Sequence, residues 1–485
     1  MAEGAGHTHQ AHDILCIGLF FDGTRNNAAN LALQRAPAKP RAPALRADDN
    51  SPYQSDITSS FDNGLTHVAR LQQLYQDSRY SKGAAPAVSI YVEGVGTRLG
   101  ADDDLLGLAF GMGATGVRAK IDLALQQYLP AALRELAMTA PAPLRSIRVD
   151  LFGFSRGAAA ARDIANQISD WGESHWRTLL GRAGLVVASD FMLATPPIRF
   201  IGLFDTVVAV NSGRSEAQPR TQLAAGIAER GLHLIARDEY REHFAVTTAG
   251  DRIEEIFLPG AHSDIGGGRA LTQEGPKLLS RPRRVRVPHP GLAAFGTPPL
   301  ALLQASAPYR AALQDAKQWR KRLGLDEGAV WVDVWHQWQR QRQAGSDSVL
   351  PTPILSVSAA VVLKRPIDWR YQLIALRLMQ QRSRTVGVTW REDVDDITAF
   401  ALPDALQPIA RRLLDGEPLS EAQEALLRRD YITQSAHWNF DALGDTALTY
   451  AADAGVSELP YRPGPGLFYI NRPTVDRRRV VLADT

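Results

Sequence analysis

With a single cysteine, Cys16, among its 485 residues, the chain cannot form an intramolecular disulfide, and nothing in it needs an oxidising compartment to fold. Cys16 lies inside an apolar run, which reads as a buried structural thiol rather than a reactive one. No apolar run reaches the ~18 residues that a membrane-spanning helix needs. The first residues, Met1 to Asp13, are polar and histidine-bearing and lack the charged start and apolar core of a secretory signal peptide, so storage in the cytoplasm is expected. Charge of either sign is nearly balanced, with 54 Lys and Arg against 52 Asp and Glu. With no long basic stretch carrying interleaved aromatics, nucleic acid is not an expected partner. The one dense acidic run, Asp102-Asp103-Asp104, has no further ligand spacing around it and reads as a solvated loop, so neither metal nor cofactor is expected.

What is present is organised around Val149-Asp150-Leu151-Phe152-Gly153-Phe154-Ser155-Arg156-Gly157-Ala158. A β-forming run stops at a glycine, passes one serine, and becomes an alanine-rich stretch of strong helix propensity. Strand, sharp turn and helix in that order fit a nucleophile elbow. In such an elbow Gly153 and Gly157 are required because a side chain at either position would collide with the neighbouring strand or helix. Ser155 would project from the apex, at the N-terminus of a helix whose amides favour developing negative charge. A glycine-bounded serine turn is the plain structural alternative.

The other apolar runs place further residues at the same edge. Ile14 to Phe21 reads as a first core strand running into Asp22-Gly23-Thr24, where an α/β hydrolase carries its second oxyanion-hole amide. Gly23 or Thr24 is therefore a candidate donor beside the amide of Arg156, with a structural turn as the alternative. The same tripeptide invites an aspartyl-phosphate reading, but that chemistry needs a carboxylate at position 20, and Phe20 stands there. Ile198 to Phe204 is a strand that ends in Asp205, and Arg252 to Leu258 is one followed by a glycine-rich loop holding His262. The order Ser155, Asp205, His262, each just after an expected strand, is that of α/β hydrolases. His233, His243, His289, His336 and His437 also follow Asp205, but none combines a strand end with a glycine loop. A chain this long is expected to hold one large α/β domain with insertions or an appended unit.

Taken together, Phe21-Asp22-Gly23-Thr24-Arg25-Asn26-Asn27, Gly94-Val95-Gly96-Thr97, Gly153-Phe154-Ser155-Arg156-Gly157-Ala158, Phe204-Asp205-Thr206-Val207 and Pro259-Gly260-Ala261-His262-Ser263-Asp264-Ile265-Gly266-Gly267 resemble the α/β-hydrolase-like proteins that include phospholipase effectors of bacterial type VI secretion. The resemblance implies a mostly parallel sheet with helices on both faces, plus a largely helical insertion and C-terminal portion. It implies a catalytic core over 12–268, an insertion or cap over 269–366 that could serve as a membrane-facing lid, a later piece of the core over 367–390, and a C-terminal extension over 391–485. It further implies a serine esterase acting on membrane phospholipids, with Ser155, Asp205 and His262 on the triad. An immunity protein and the secretion spike or tube proteins would be its partners, and the periplasm of a target cell its place of action. A hydrolase-fold binding protein without turnover, or a serine esterase that does not act on membranes, are the alternatives.

Later segments carry weaker signals. Arg269 to Arg286 is basic and reads as a solvated loop. Trp331, Trp335 and Trp338 stand at i, i+4 and i+7, one face of a helix if the stretch is helical. That face would be either core or a candidate lipid-facing surface. The terminal Asp476-Arg477-Arg478-Arg479 reads as a solvated turn.

Overall fold

The apolar runs of the first half become the strands of one parallel sheet. The computed structural model describes residues 13–24, 26–35, 64–80, 85–98, 115–139, 142–208, 219–270, 272–288, 296–341, 352–438, 457–458 and 471–483. The sheet contains β1 (Ile14–Phe21), β2 (Ala87–Val92), β3 (Ser146–Phe154), β4 (Ile198–Phe204), β5 (Ala228–Ala236) and β7 (Glu254–Leu258), in the order β2-β1-β3-β4-β5-β7. Every neighbouring pair is parallel. A two-residue strand, β6 (Val246–Thr247), lies outside this sheet. Both faces of a parallel sheet are covered by helices, which is why β1, β3 and β4 read as nearly continuous apolar runs.

Alternate side chains of these strands feed two cores. On one face Leu15, Ile17, Leu19, Val149 and Leu151 pack with Ile121, Leu133, Ala161, Ile164 and Trp176 from the helices Val117–Leu123, Leu129–Ala137, Arg156–Ser169 and Glu173–Arg182. On the other, Phe20, Phe152, Phe200 and Phe204 pack with Val68 and Leu71 of the helix His67–Leu74 and with Leu373, Leu376 and Met379 of the helix Leu373–Arg384. Leu406, Ile409, Leu427 and Ile432, still later in the chain, belong to that second core. The chain is thus an α/β fold with a mostly parallel central sheet and helices on both faces. Buried polarity is built into it: Asp150 on β3 is fully buried, where Arg199 on β4 donates to both its oxygens at 3.0 and 2.5 Å and the Tyr75 hydroxyl donates at 2.7 Å.

Two expectations about the later half give way to strands. The basic stretch read as a solvated loop forms β8 (Gln273–Leu278) and β9 (Arg283–Pro288), and the tryptophan stretch forms β10 (Val330–Gln341), which pairs antiparallel with β11 (Thr352–Pro366). β11 is the centre of a five-stranded sheet that also includes β8, β9 and β12 (Ser457–Glu458). The helical face of Trp331, Trp335 and Trp338 therefore does not form. In a pleated strand side chains alternate, so residues separated by an odd number fall on opposite faces. Trp331 and Trp335 pack, half-buried, against Leu278, Ala360 and Val362, while Trp338 packs on the other side near Leu355 and Val357 and donates its indole N–H to the Gly296 carbonyl at 2.7 Å. The β-branched Val330, Val332 and Val334 between them favour the strand and face the helix Ala307–Leu323. The Asp102–Asp104 run lies outside the described residues.

Arg365 at the end of β11 joins this second sheet to the helix Glu421–Asp430. Its guanidinium donates to Glu274 at 2.8 Å and to the carbonyls of Arg428, Arg429 and Ile432 at 2.6, 2.8 and 2.6 Å, with both charged side chains 1% exposed. Burial alone would raise the Glu274 carboxyl, but Lys277 and Arg365 outweigh it and hold it at about 2. Arg365→Met should cost roughly 3 kcal/mol of folding stability in denaturant titration, because it leaves a buried carboxylate with half its cationic partners.

Candidate active site

In an open parallel sheet the crevice for a ligand opens beyond the carboxyl ends of the strands, where successive connections leave in opposite directions. Here that point lies between β1, whose next strand β2 is on one side, and β3, on the other. The loop Asp22–Thr24 leaves β1 at this edge and Ser155 leaves β3 beside it.

The turn at Ser155 has the strained geometry of an elbow. Ser155 adopts φ 57° and ψ −124°, and is followed at once by the helix Arg156–Ser169. A β-carbon at Gly157 would lie 2.3 and 2.4 Å from the carbonyl oxygens of Phe21 and Asp22, and one at Gly153 would lie 2.6 Å from Ala158 Cα. Neither position can carry a side chain without moving backbone. The Ser155 amide donates to the Phe204 carbonyl at 3.0 Å, which pins the elbow to the end of β4 and sets it next to Asp205.

Asp205 and His262 meet directly. His262 opens the short helix His262–Gly266, and its Nδ1 lies 2.6 Å from Asp205 Oδ2. The imidazole sits between two rings, Phe154 at 4.5 Å and Phe244 at 5.0 Å between centroids, so Phe154, Ser155's neighbour in the chain, is also the neighbour of His262. Asp205 is fully buried in a left-handed conformation, φ 43°. Its Oδ1 accepts the Ala236 amide at 2.9 Å and Arg479 Nη2 at 2.8 Å. Burial would raise this carboxyl, but the Arg479 charge first, then the hydrogen bond and charge of His262, hold it below the ordinary value. His262 is pushed down by burial, with Asp205 pulling the other way and not prevailing. The pair therefore rests as carboxylate and neutral imidazole at neutral pH, with Nδ1–H donating to Asp205 and Nε2 left as the basic nitrogen.

Among the other candidates, the structure separates Gly23 from Thr24. The Gly23 amide donates to Asp22 Oδ1 at 2.7 Å, so it is engaged within its own loop. Asp22 is buried beneath it, pushed up to about 6 by desolvation, and accepts the Tyr91 hydroxyl at 2.5 Å. Thr24 faces the elbow, its hydroxyl accepting Arg156 Nε at 2.6 Å, and Arg156 holds the first position of the helix, the end whose dipole favours negative charge. Of the competing histidines, His233 is buried with Nε2 accepting the Thr206 amide at 3.1 Å and Nδ1 2.8 Å from Glu255. The His437 amide bonds the Asn471 carbonyl. Trp331, Trp335 and Trp338 belong to the second sheet described above.

Three residues around His262 carried no legible signal. Glu239 accepts the His262 amide at 3.2 Å and is chelated by Arg241 at 2.9 Å through Nε and Nη2. Arg479 belongs to the arginine run that reads as a solvated turn, yet its side chain is only 6% exposed. No periodicity marks an arginine that reaches back 274 positions to its carboxylate. Among the described residues no group of three or more His, Cys, Asp or Glu could hold a metal ion, and no helix is long and apolar enough to cross a membrane.

Comparison with known proteins bears out the resemblance drawn from the motifs. Residues 186–284 match the family model described as "T6SS, Phospholipase effector Tle1-like, catalytic domain". That stretch holds Asp205 and His262, and Ser155 lies upstream of it. No curated protein matches the chain by sequence. Among solved structures, the Tle1 effector bound to the VgrG spike from the Type 6 secretion system superposes with a TM-score of 0.68 at 23% identity, covering 97% of this chain and 94% of that one. An uncharacterized protein from Pseudomonas aeruginosa aligns over 53% of this chain and 42% of its own at 21% identity, with a TM-score of 0.31. By fold over nearly its whole length, and by sequence over residues 186–284, the chain is similar to the Tle1-like phospholipase effectors of type VI secretion.

Proposed function

We propose that the chain is a serine phospholipase that hydrolyses carboxylic ester bonds of membrane phospholipids, with Ser155 as nucleophile, His262 as general base and acid, and Asp205 as the residue that orients His262. The observation that carries this reading is the hydrogen-bonded Asp205–His262 pair at the sheet edge where the strained Ser155 turn leaves β3. In the first half-reaction Ser155 Oγ attacks the acyl carbonyl while His262 Nε2 takes its proton. The tetrahedral oxyanion is received by the amides of Arg156 and Thr24. Collapse breaks the ester bond, His262 protonates the leaving alcohol, and the lysophospholipid departs. Water, activated by the same imidazole, then releases the fatty acid and regenerates Ser155.

We further propose that this activity is delivered by a type VI system into the periplasm of a target bacterium, with a secretion spike or tube protein as carrier and an immunity protein as its neutraliser. The support is the matched effector family together with the likeness to an effector bound to a spike protein.

Ser155→Ala should lower fatty-acid release from phosphatidylethanolamine and phosphatidylglycerol vesicles by at least ~10³-fold without changing the melting temperature, and combining it with His262→Ala should add no further loss. A variant retaining a tenth of the activity would remove Ser155 from the mechanism. No turnover by the wild type, on vesicles or on a short-chain ester, would favour a binding protein. Because burial lowers the His262 value and the base must be neutral, the acid limb of kcat/KM should fall below pH 6.5, the ordinary imidazole value. A limb above that value would show that Asp205, not burial, dominates. Expression in a susceptible bacterium should arrest growth only when a periplasmic signal is added. Equal growth with and without it, with active enzyme present, would count against the proposed site of action.

A further inference from the structure

We propose that Arg479, carried by the C-terminal segment 471–483, is a positioning residue for the hydrolysis, holding the Asp205 carboxylate on His262 and offsetting its charge. This rests on the triad reading above and goes beyond it by making the last residues of the chain part of the active site.

The segment is laid across the loops that surround His262. The Glu242 amide donates to the Arg472 carbonyl and the Thr474 amide to the Tyr240 carbonyl, both at 2.8 Å. Further on, β13 (Val481–Leu482) pairs in parallel with β6, immediately after the loop that carries Phe244. Between these two attachments lies a turn in which the Arg477 amide returns to the Thr474 carbonyl. Arg477 is anchored in turn, with Nη2 on the Leu279 carbonyl at 2.6 Å and its guanidinium 4.5 Å from the Trp319 ring centroid. The turn fixes where Arg479 emerges.

Three non-glycine residues among those described have positive φ: Ser155 at 57°, Asp205 at 43° and Arg477 at 50°. Such conformations persist only where the surroundings over-determine them, and they gather at functional sites. Two belong to the proposed triad, and the third shapes the turn that delivers Arg479. The guanidinium itself is placed at a cost. Its side chain is buried, Nη2 bonds Asp205 Oδ1, and Nε and Nη1 have no hydrogen-bond partner among the described residues. A buried ion pair this sparsely satisfied is a poor source of stability, which favours a role in placing the carboxylate.

The role follows from the donors on Asp205. With Oδ1 held by Ala236 and Arg479, Oδ2 is the oxygen offered to His262 Nδ1–H, and this fixes the tautomer that leaves Nε2 as the basic nitrogen. The charges acting on His262 are Asp205 and Glu239 on the negative side and Arg241 on the positive, and Arg479 acts on both of those carboxylates. His233 stands behind Asp205. Without Arg479 the two carboxylates would be opposed by Arg241 alone, and the imidazolium would be favoured.

The test compares wild type, Arg479→Gln and Arg479→Lys in the full chain, using a soluble short-chain ester and a pH series. Arg479→Gln should lower kcat by about 10- to 100-fold with KM unchanged, and should move the acid limb upward by about one pH unit. Arg479→Lys, which keeps the charge but not the fork, should leave the limb in place and restore only part of kcat. A wild-type profile for Arg479→Gln, or equal loss in both variants with an unmoved limb, would overturn the proposal. Should Arg479→Gln fail to fold, Arg479→Lys decides: a reduced kcat with the limb in place supports the role, and wild-type kcat refutes it. Ser155→Ala is run alongside. If it remains active, the triad reading fails; if it is inactive while the Arg479 variants behave as wild type, only this inference fails.

Discussion

Asp205 carries a carboxylate fully removed from solvent, and the geometry around it follows from the need to satisfy that charge. Moving an ion into such a place costs several kcal/mol unless donors replace the lost water. Three do so here: the Ala236 amide from the end of β5, the Arg479 guanidinium and His262 Nδ1. Each comes from a different part of the chain, so the carboxylate ties together two strands of the sheet, the helix opening at His262 and the C-terminal segment. Its positive φ adds strain of about 1–3 kcal/mol, which the parallel ladder sustains through the Asp205 amide on the Leu234 carbonyl.

The elbow depends on the same ladder. Ser155 is held to Phe204 by one backbone bond, and its own carbonyl accepts the Val207 amide at 3.3 Å, which ties Ser155 and Asp205 together at the ends of β3 and β4. Arg162, on the helix that follows the elbow, donates to the carbonyls of Thr247 and Thr248 at 3.0 and 3.1 Å. Thr247 is paired with Leu482 of β13 and Thr248 follows it, which connects the elbow helix to the segment bearing Arg479. Cationic side chains buried against carbonyls and carboxylates thus fix relative placement at the points where distant parts of the chain meet, as Arg365 does between β11 and the helix Glu421–Asp430.

Much of this was legible because buried parallel strands announce themselves. Ile14 to Phe21 is an unbroken apolar stretch, Ile198 to Phe204 is broken only by Arg199 and the run into Gly153 only by Arg148 and Asp150, and Thr24, Asp205 and Ser155 follow at their carboxyl ends. The illegible parts share a different physics. The tryptophan spacing at 331, 335 and 338 suits a helix, yet pairing with β11 over twelve residues makes a strand, and the pleat sends Trp338 to the far side. The basic residues of β9 looked solvated because charge alone says nothing about a partner such as Asp315, which accepts Arg283 at 2.7 Å from another element. Arg479 is the extreme case, an ion pair closed over almost the whole remaining chain, for which local pattern has no expression.

Labelling with an organophosphonate that reacts with activated serines, with the added mass located by peptide mapping, shows whether Ser155 is the acyl-accepting residue of a phospholipid hydrolase. A single adduct on Ser155 is expected, slowed when phospholipid vesicles are present and absent in His262→Ala. An adduct on another residue, or full activity in the unlabelled presence of excess reagent, would contradict it.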